Sequence, residues 1–202
     1  MSNPGPQDES PKWMKRALLG ACYWIGHRRT IYKGYPLTEG AIVAELCNLI
    51  HANFREGELE CEHPYAEFVP ASDVCKERSR VDLCIYETTS HPPERKCRYV
   101  IEVKRWQSRS SPASIQNDLK RLAEVKCHHP EIRTMLLLVA EGLRPKPYVG
   151  EDGRRSRKRF PLDDRQERAV YSVLNVQRVA PTNSRCAHYA CSLEVTLKAV
   201  AR

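Results

Sequence analysis

Three residues able to bind a metal and move charge fall in two short, strand-like segments. Asp82 lies in Arg80-Val81-Asp82-Leu83-Cys84-Ile85-Tyr86, and Glu102 and Lys104 lie in Arg98-Tyr99-Val100-Ile101-Glu102-Val103-Lys104. Both segments are rich in β-branched and aliphatic residues, and Ser90-His91-Pro92-Pro93-Glu94 between them is a turn composition. A hairpin centred on Pro92 opposes residues whose numbers sum to 184, which sets Asp82 against Glu102. Directly opposed side chains share a face, with Cβ atoms about 4.5–5.5 Å apart. Two carboxylates there repel, so the pair needs a counter-charge. Lys104 is one candidate, and a divalent cation is the stronger one, because Mg²⁺ takes oxygen ligands from one or two carboxylates together with a phosphate. The structural alternative is a plain cross-strand ion pair between Asp82 and Lys104.

Alternation places Val81, Leu83 and Ile85 on one face of the first strand and Asp82, Cys84 and Tyr86 on the other. In the second strand Tyr99, Ile101 and Val103 oppose Val100, Glu102 and Lys104. The tripeptide letters carry little by themselves. Glu124-Val125-Lys126 repeats them in a helical segment, where positions two apart do not share a face.

The elements that must hold this hairpin are legible in the periodicity. Residues 1–11, with three prolines, read as a disordered tail, and Ala17–Gly26 as an N-terminal core helix. A further helix begins after Thr38 as N-cap, with Leu37 stapled onto Ile42 and a stripe of Ile42, Val43, Leu46, Leu49 and Ile50; Glu45 sits on its flank. Residues 59–69 read as a first strand. After the hairpin, Ser110-Ser111-Pro112 opens a helix running to about Lys126, which buries Ile115, Leu119, Leu122 and Ala123, with Gln116 and Lys120 on its flank. Met135 to Ala140 is uniformly apolar and short, as in a strand covered on both faces. A basic loop over 143–165 follows, and then two strands, over 169–179 and 190–200. Trp106, just past the hairpin, is a packing residue.

Length and charge bound the function classes. A chain of 202 residues supports one ordinary domain, here residues 12–202, with a core over 37–142 and C-terminal strands over 166–200. The formal charge of +8 permits a polyanionic partner. Arg154, Arg155, Arg157, Lys158 and Arg159 supply five of those charges in six positions and are candidate nucleic-acid contacts, although such a run is also compatible with a solvated loop. Nine irregularly spaced cysteines without a Cys-x-x-Cys pair indicate reduced thiols in an intracellular, cytoplasmic protein. Cys61-x-His63 and Cys127-His128-His129 lack a spaced second pair, so no structural zinc is expected. No stretch is long and apolar enough to suggest a membrane partner.

The order helix, three strands, helix, strand, with an aspartate on the second strand and Glu102-Val103-Lys104 on the third, resembles the PD-(D/E)xK nuclease superfamily over residues 37–142. Val81 stands where the motif name has proline. The resemblance implies an α/β, restriction-endonuclease-like αβββαβ core with a mixed central sheet flanked by helices, extended here by an N-terminal helix and C-terminal β strands. It implies Asp82, Glu102 and Lys104 as catalytic residues, with Glu45 of the first core helix and Gln116 of the helix after the motif. Mg²⁺, replaceable by Mn²⁺, would be held by Asp82, Glu102 and the carbonyl of Val103. The implied activity is DNA endonuclease cleavage, and a homodimer or larger complex is compatible with it. The alternative is a non-catalytic nucleic-acid-binding or scaffold subunit that keeps the fold.

Overall fold

Thr38 caps the second helix as its sequence position predicts: its side chain accepts a hydrogen bond from the Ala41 amide at 3.2 Å. The chain is seen in a computed structural model that describes residues 10–32, 34–35, 37–54, 57–88, 95–107, 112–162, 169–180 and 186–198. Helix α1 spans Lys12–Ile31, α2 spans Glu39–Asn53 and α3 spans Pro112–His128. Strands β1 (Gly57–Pro64), β2 (Arg80–Thr88), β3 (Arg95–Trp106), β4 (Arg133–Ala140), β5 (Arg159–Pro161), β6 (Ala169–Val179) and β7 (His188–Leu197) form one mixed sheet. Its strand order is β1-β2-β3-β4-β7-β6-β5.

The first three strands pair antiparallel, and α3 carries the chain across to β4, which pairs parallel with β3. Two apolar layers result. The stripes of α1 and α2, including Met14, Leu18, Ile42, Leu46 and Ile50, pack on Leu83, Ile85, Ile101 and Val103. Ile115, Leu119 and Leu122 of α3 pack on the opposite layer with Cys84, Val100, Leu136 and Leu138. Strand β4 alternates between the two, Met135, Leu137 and Val139 to one side and Leu136, Leu138 and Ala140 to the other. That is why its sequence shows no polar face.

Several expectations shift. The first strand ends at Pro64 and runs into a 3₁₀ turn at Tyr65–Glu67, because proline has no amide for a continuing ladder. Val81 packs in the α3-side layer instead of with Leu83 and Ile85. Next to its β1 partner His63, Glu62 has a left-handed φ of 55° and no partner in the β1–β2 register. The hairpin register sums to 184 from Leu83 to Ile85, then slips by one at a bulge between Ile85 and Tyr86. Arg98 is the extra residue, so the predicted register holds from Leu83 to Ile85 and fails near the turn, whose residues 89–94 lie outside those described. Of the expected tail, residues 1–9 also lie outside, and Ser10 is only 4% exposed. The basic segment contributes a short strand, β5, that its composition did not announce. All nine cysteines are free thiols. Among the described residues no helix is long and apolar enough to cross a membrane.

Because Thr38 sets the entry of α2 immediately before Glu39, Thr38→Ala is expected to cost about 0.5–2 kcal/mol. Urea denaturation measures that loss, and an unchanged midpoint would show the cap to be dispensable.

Candidate active site

The β2–β3 ladder has its last Cα pair at Leu83 and Ile101. The next amide along β3 facing that strand, that of Val103, donates to Asp82 Oδ2 at 2.6 Å. A side-chain carboxylate thus takes the place of a strand carbonyl where the two strands part. Glu102 is 3% exposed. Its Oε1 accepts from the Tyr65 hydroxyl at 2.6 Å and lies 3.3 Å from Arg121 Nη2. Lys104 Nζ sits between Glu39 Oε1 and Asp118 Oδ2, each 3.0 Å away. Arg121 also contacts Asp118 Oδ1, closing a chain of charges from α2 through β3 to α3. The second oxygen of Glu39 accepts the Arg105 amide at 3.3 Å, which ties the first residue of α2 to β3.

The cluster therefore holds four carboxyls, of Glu39, Asp82, Glu102 and Asp118, against the two cations of Lys104 and Arg121. If all ionise, two negative charges remain uncompensated in a largely buried place. The acids respond accordingly. Burial, followed by the charge of Asp82, pushes the Glu102 carboxyl well above its usual range, against the Tyr65 hydrogen bond and Arg121. Burial also raises Asp82, opposed by the Val103 amide and by a hydrogen bond with Glu102. Burial raises Asp118 in spite of Lys104. Burial alone would lower Lys104, but Asp118 and Glu39 outweigh it and hold the ammonium above its ordinary value. Lys104 is a cation at neutral pH.

A divalent cation fits this arrangement on two grounds. It supplies the two missing positive charges, and it binds the donor type present, hard carboxylate oxygens on Asp82 and Glu102 flanking Val103. Among the described residues no three His, Cys, Asp or Glu side chains gather closely enough to hold a metal by themselves. The protein's share of such a site would be two carboxylates and a carbonyl.

Comparison with protein-family models, with curated proteins and with solved structures finds no match.

Of the sequence candidates, Asp82, Glu102 and Lys104 come together, but the ion pairs of Lys104 run to Glu39 and Asp118, and none is formed with Asp82. Glu45 makes no hydrogen bond or ion pair among the described residues. The α2 carboxylate that reaches the cluster is Glu39, six residues earlier. Gln116 donates to the Tyr171 hydroxyl at 3.1 Å, on β6. The residue of α3 that matters is Asp118. Its signal was present: it lies three after Ile115 and four before Leu122, so it is an acid on the buried stripe of the helix. Arg121 lies one turn further on. Tyr65 and Glu39 gave no such signal.

The other singled-out residues are placed elsewhere. Cys61 Sγ lies 3.3 Å from Cys47 Sγ, whereas the His63 ring contacts Glu60, Glu67 and Tyr86, so the two do not converge. Trp106 packs edge-on against Tyr148. Lys126 of the repeated tripeptide caps the end of α3 by donating to the carbonyls of Pro130 and Ile132. Arg154, Arg155, Arg157, Lys158 and Arg159 lie at the opposite end of the sheet, beside β5 and β6, and their segment is tethered by Ser156 donating to Tyr148 and by a bridge between Val149 and Arg155.

Tyr65→Phe removes the hydroxyl that holds Glu102 Oε1. A hydrogen bond to a charged group contributes about 1.5–3 kcal/mol, so destabilisation of that order is expected in urea at pH 8. An unaltered midpoint would remove Tyr65 from the network.

Proposed function

We propose that the chain is a metal-dependent phosphodiesterase of the PD-(D/E)xK type, acting on DNA as an endonuclease, with a restriction-endonuclease-like core formed by α2, β1–β3, α3 and β4. The observation that carries this reading is the gathering of four carboxyls, three of them with ionisation disfavoured by burial, around two cations where β2 and β3 part, beside a lysine that is held charged. An ion pair kept only for stability would balance. One divalent cation would balance the four carboxyls, and Asp82 with Glu102-Val103-Lys104 supplies the donor types such a centre needs.

Asp82 and Glu102, with the Val103 carbonyl, would hold Mg²⁺ or Mn²⁺. When bound, the cation neutralises charge on the scissile phosphate and lowers the pKa of the attacking water. The Val103 amide orients Asp82, and Tyr65 and Arg121 orient Glu102. Lys104, protonated between Glu39 and Asp118, is suited to donate hydrogen bonds to the phosphate oxygens as charge builds on them. It is not suited to accept the proton of the water. Asp118 and Glu39 act through Lys104 as positioning residues.

The purified protein incubated with supercoiled plasmid, a four-way DNA junction and a matched RNA, in Mg²⁺ or Mn²⁺ against EDTA, tests the proposal. Metal-dependent nicking of either DNA is expected. Absence of cleavage in both metals, together with salt-sensitive binding, would favour the non-catalytic nucleic-acid-binding subunit.

A further inference from the structure

Far from the carboxylates, a cavity of about 840 Å³ opens between the start of α1, the 153–159 segment and β6. Its origin is a mismatch of strand lengths. β5 covers only Val170–Ser172 of β6, whereas β6 continues to Val179 and bulges between Val173 and Asn175. The strand beyond Ser172 is left as a wall. Lys15, Arg154, Arg155, Arg157 and Arg159 line the cavity, and among the described residues no aspartate or glutamate does. Arg155 is committed to the bulge, where Nη1 donates to the Leu174 carbonyl at 2.8 Å. Arg154 faces Asp152, 3.7 Å away. Lys15, Arg157 and Arg159 have no ion pair among the described residues.

The lining points to an anionic occupant: Lys15, Arg157 and Arg159 are unpaired among the described residues and no described carboxylate offsets them. In addition, α1 starts next to Ser10 with no side-chain cap and no acidic residue in its first turn, so its dipole adds positive potential at this end of the cavity. The volume lies within the range of about 300–1,000 Å³ found for small-ligand sites, which favours a compact group over a passing backbone.

We propose that this cavity is a binding site for a compact phosphate polyanion, supplied either by the terminal phosphate of a nucleic-acid strand or by a free polyphosphate chain. It lies outside the carboxylate cluster and does not depend on the nuclease reading. Binding is measured in EDTA at about 150 mM salt, where exposed charges are screened beyond roughly 8 Å. The probes are a 3′-labelled single-stranded oligonucleotide with a 5′-phosphate, its 5′-hydroxyl twin, and inorganic tripolyphosphate. Tighter binding of the phosphorylated strand, by about tenfold or more, identifies the terminal phosphate. Tripolyphosphate binding without a difference between the strands identifies the free polyphosphate. In either case Lys15→Ala with Arg157→Ala weakens binding by about tenfold or more. Lys76→Ala with Arg78→Ala, exposed residues elsewhere carrying the same charge, leaves it unchanged. Failure of both probes to bind, or equal losses in the two double variants, overturns the proposal.

Discussion

Lys104→Ala and Glu102→Gln are each expected to lower metal-dependent nicking of supercoiled plasmid by at least about 10²-fold, with the circular dichroism spectrum retained. The size follows from what each group does. Removing one preorganised donor aimed at developing charge costs about 10²–10³ in rate. In the proposed mechanism Lys104 is that donor, and its position is over-determined by Glu39 and Asp118. Glu102→Gln keeps the shape and an acceptor for Tyr65 and Arg121, and removes only the charge that a cation needs. Asp118→Asn loosens Lys104 without touching either metal-facing carboxyl, so it is expected to give a smaller loss in rate with unchanged metal affinity. Lys104→Arg restores the charge but not the compact geometry, and is expected to remain impaired. Wild-type nicking by Lys104→Ala would end the catalytic assignment of the cluster.

Glu102→Gln is also expected to make the metal-free protein more stable above neutral pH, by about 1 kcal/mol or more, which is roughly 2–4 °C in a chain of this size. The sign is set by the direction of the shift. Glu102 has a folded-state pKa raised well above its unfolded value by burial and by Asp82, so its contribution to stability is fully present below the unfolded carboxylate range near about 4.3 and is lost as pH rises through the folded pKa. Asp82 and Asp118, also raised, behave in the same sense. The wild-type melting temperature should therefore fall on going from about pH 5 to pH 8 by more than that of Glu102→Gln. Addition of Mn²⁺ at pH 8 should recover the loss in wild type and not in the variant, because the cation supplies the missing charge. Thermal melts across pH with and without Mn²⁺ read both effects. A variant less stable than wild type at pH 8 would mean that Glu102 is a structural ion-pair partner of Arg121 and not a carboxylate held ready for a cation.

Much of this cluster was legible along the chain because strand chemistry is local. Side chains alternate with a period of two, and the register of Leu83, Cys84 and Ile85 agrees with the sum expected for a turn about Pro92, but it does so through the extra residue Arg98, which no periodicity announces. Thr38, the α2 stripe and the buried strand β4 were readable for the same reason. Glu45 and Gln116 were proposed from the order of elements in a family, and the side chains that reach the cluster are instead Glu39 and Asp118. Element order says which helix lies near a strand and not which turn of it does.

The sequence by itself determined most of the elements, the alternation of faces from Leu83 onward in β2 and through β4, and the nearness of Asp82 to the Glu102 segment, since each depends on residues a few positions apart or on one hairpin. The tertiary structure decided the rest. Lys104 meets Glu39 across 65 positions, and Tyr65 meets Glu102 across 37. β7 enters the sheet between β4 and β6, and the short β5 leaves the basic segment curled over an uncovered strand. Such contacts depend on where each helix crosses the sheet and how far each strand extends. Those are settled by the packing of whole apolar faces, so no single stretch of sequence carries them.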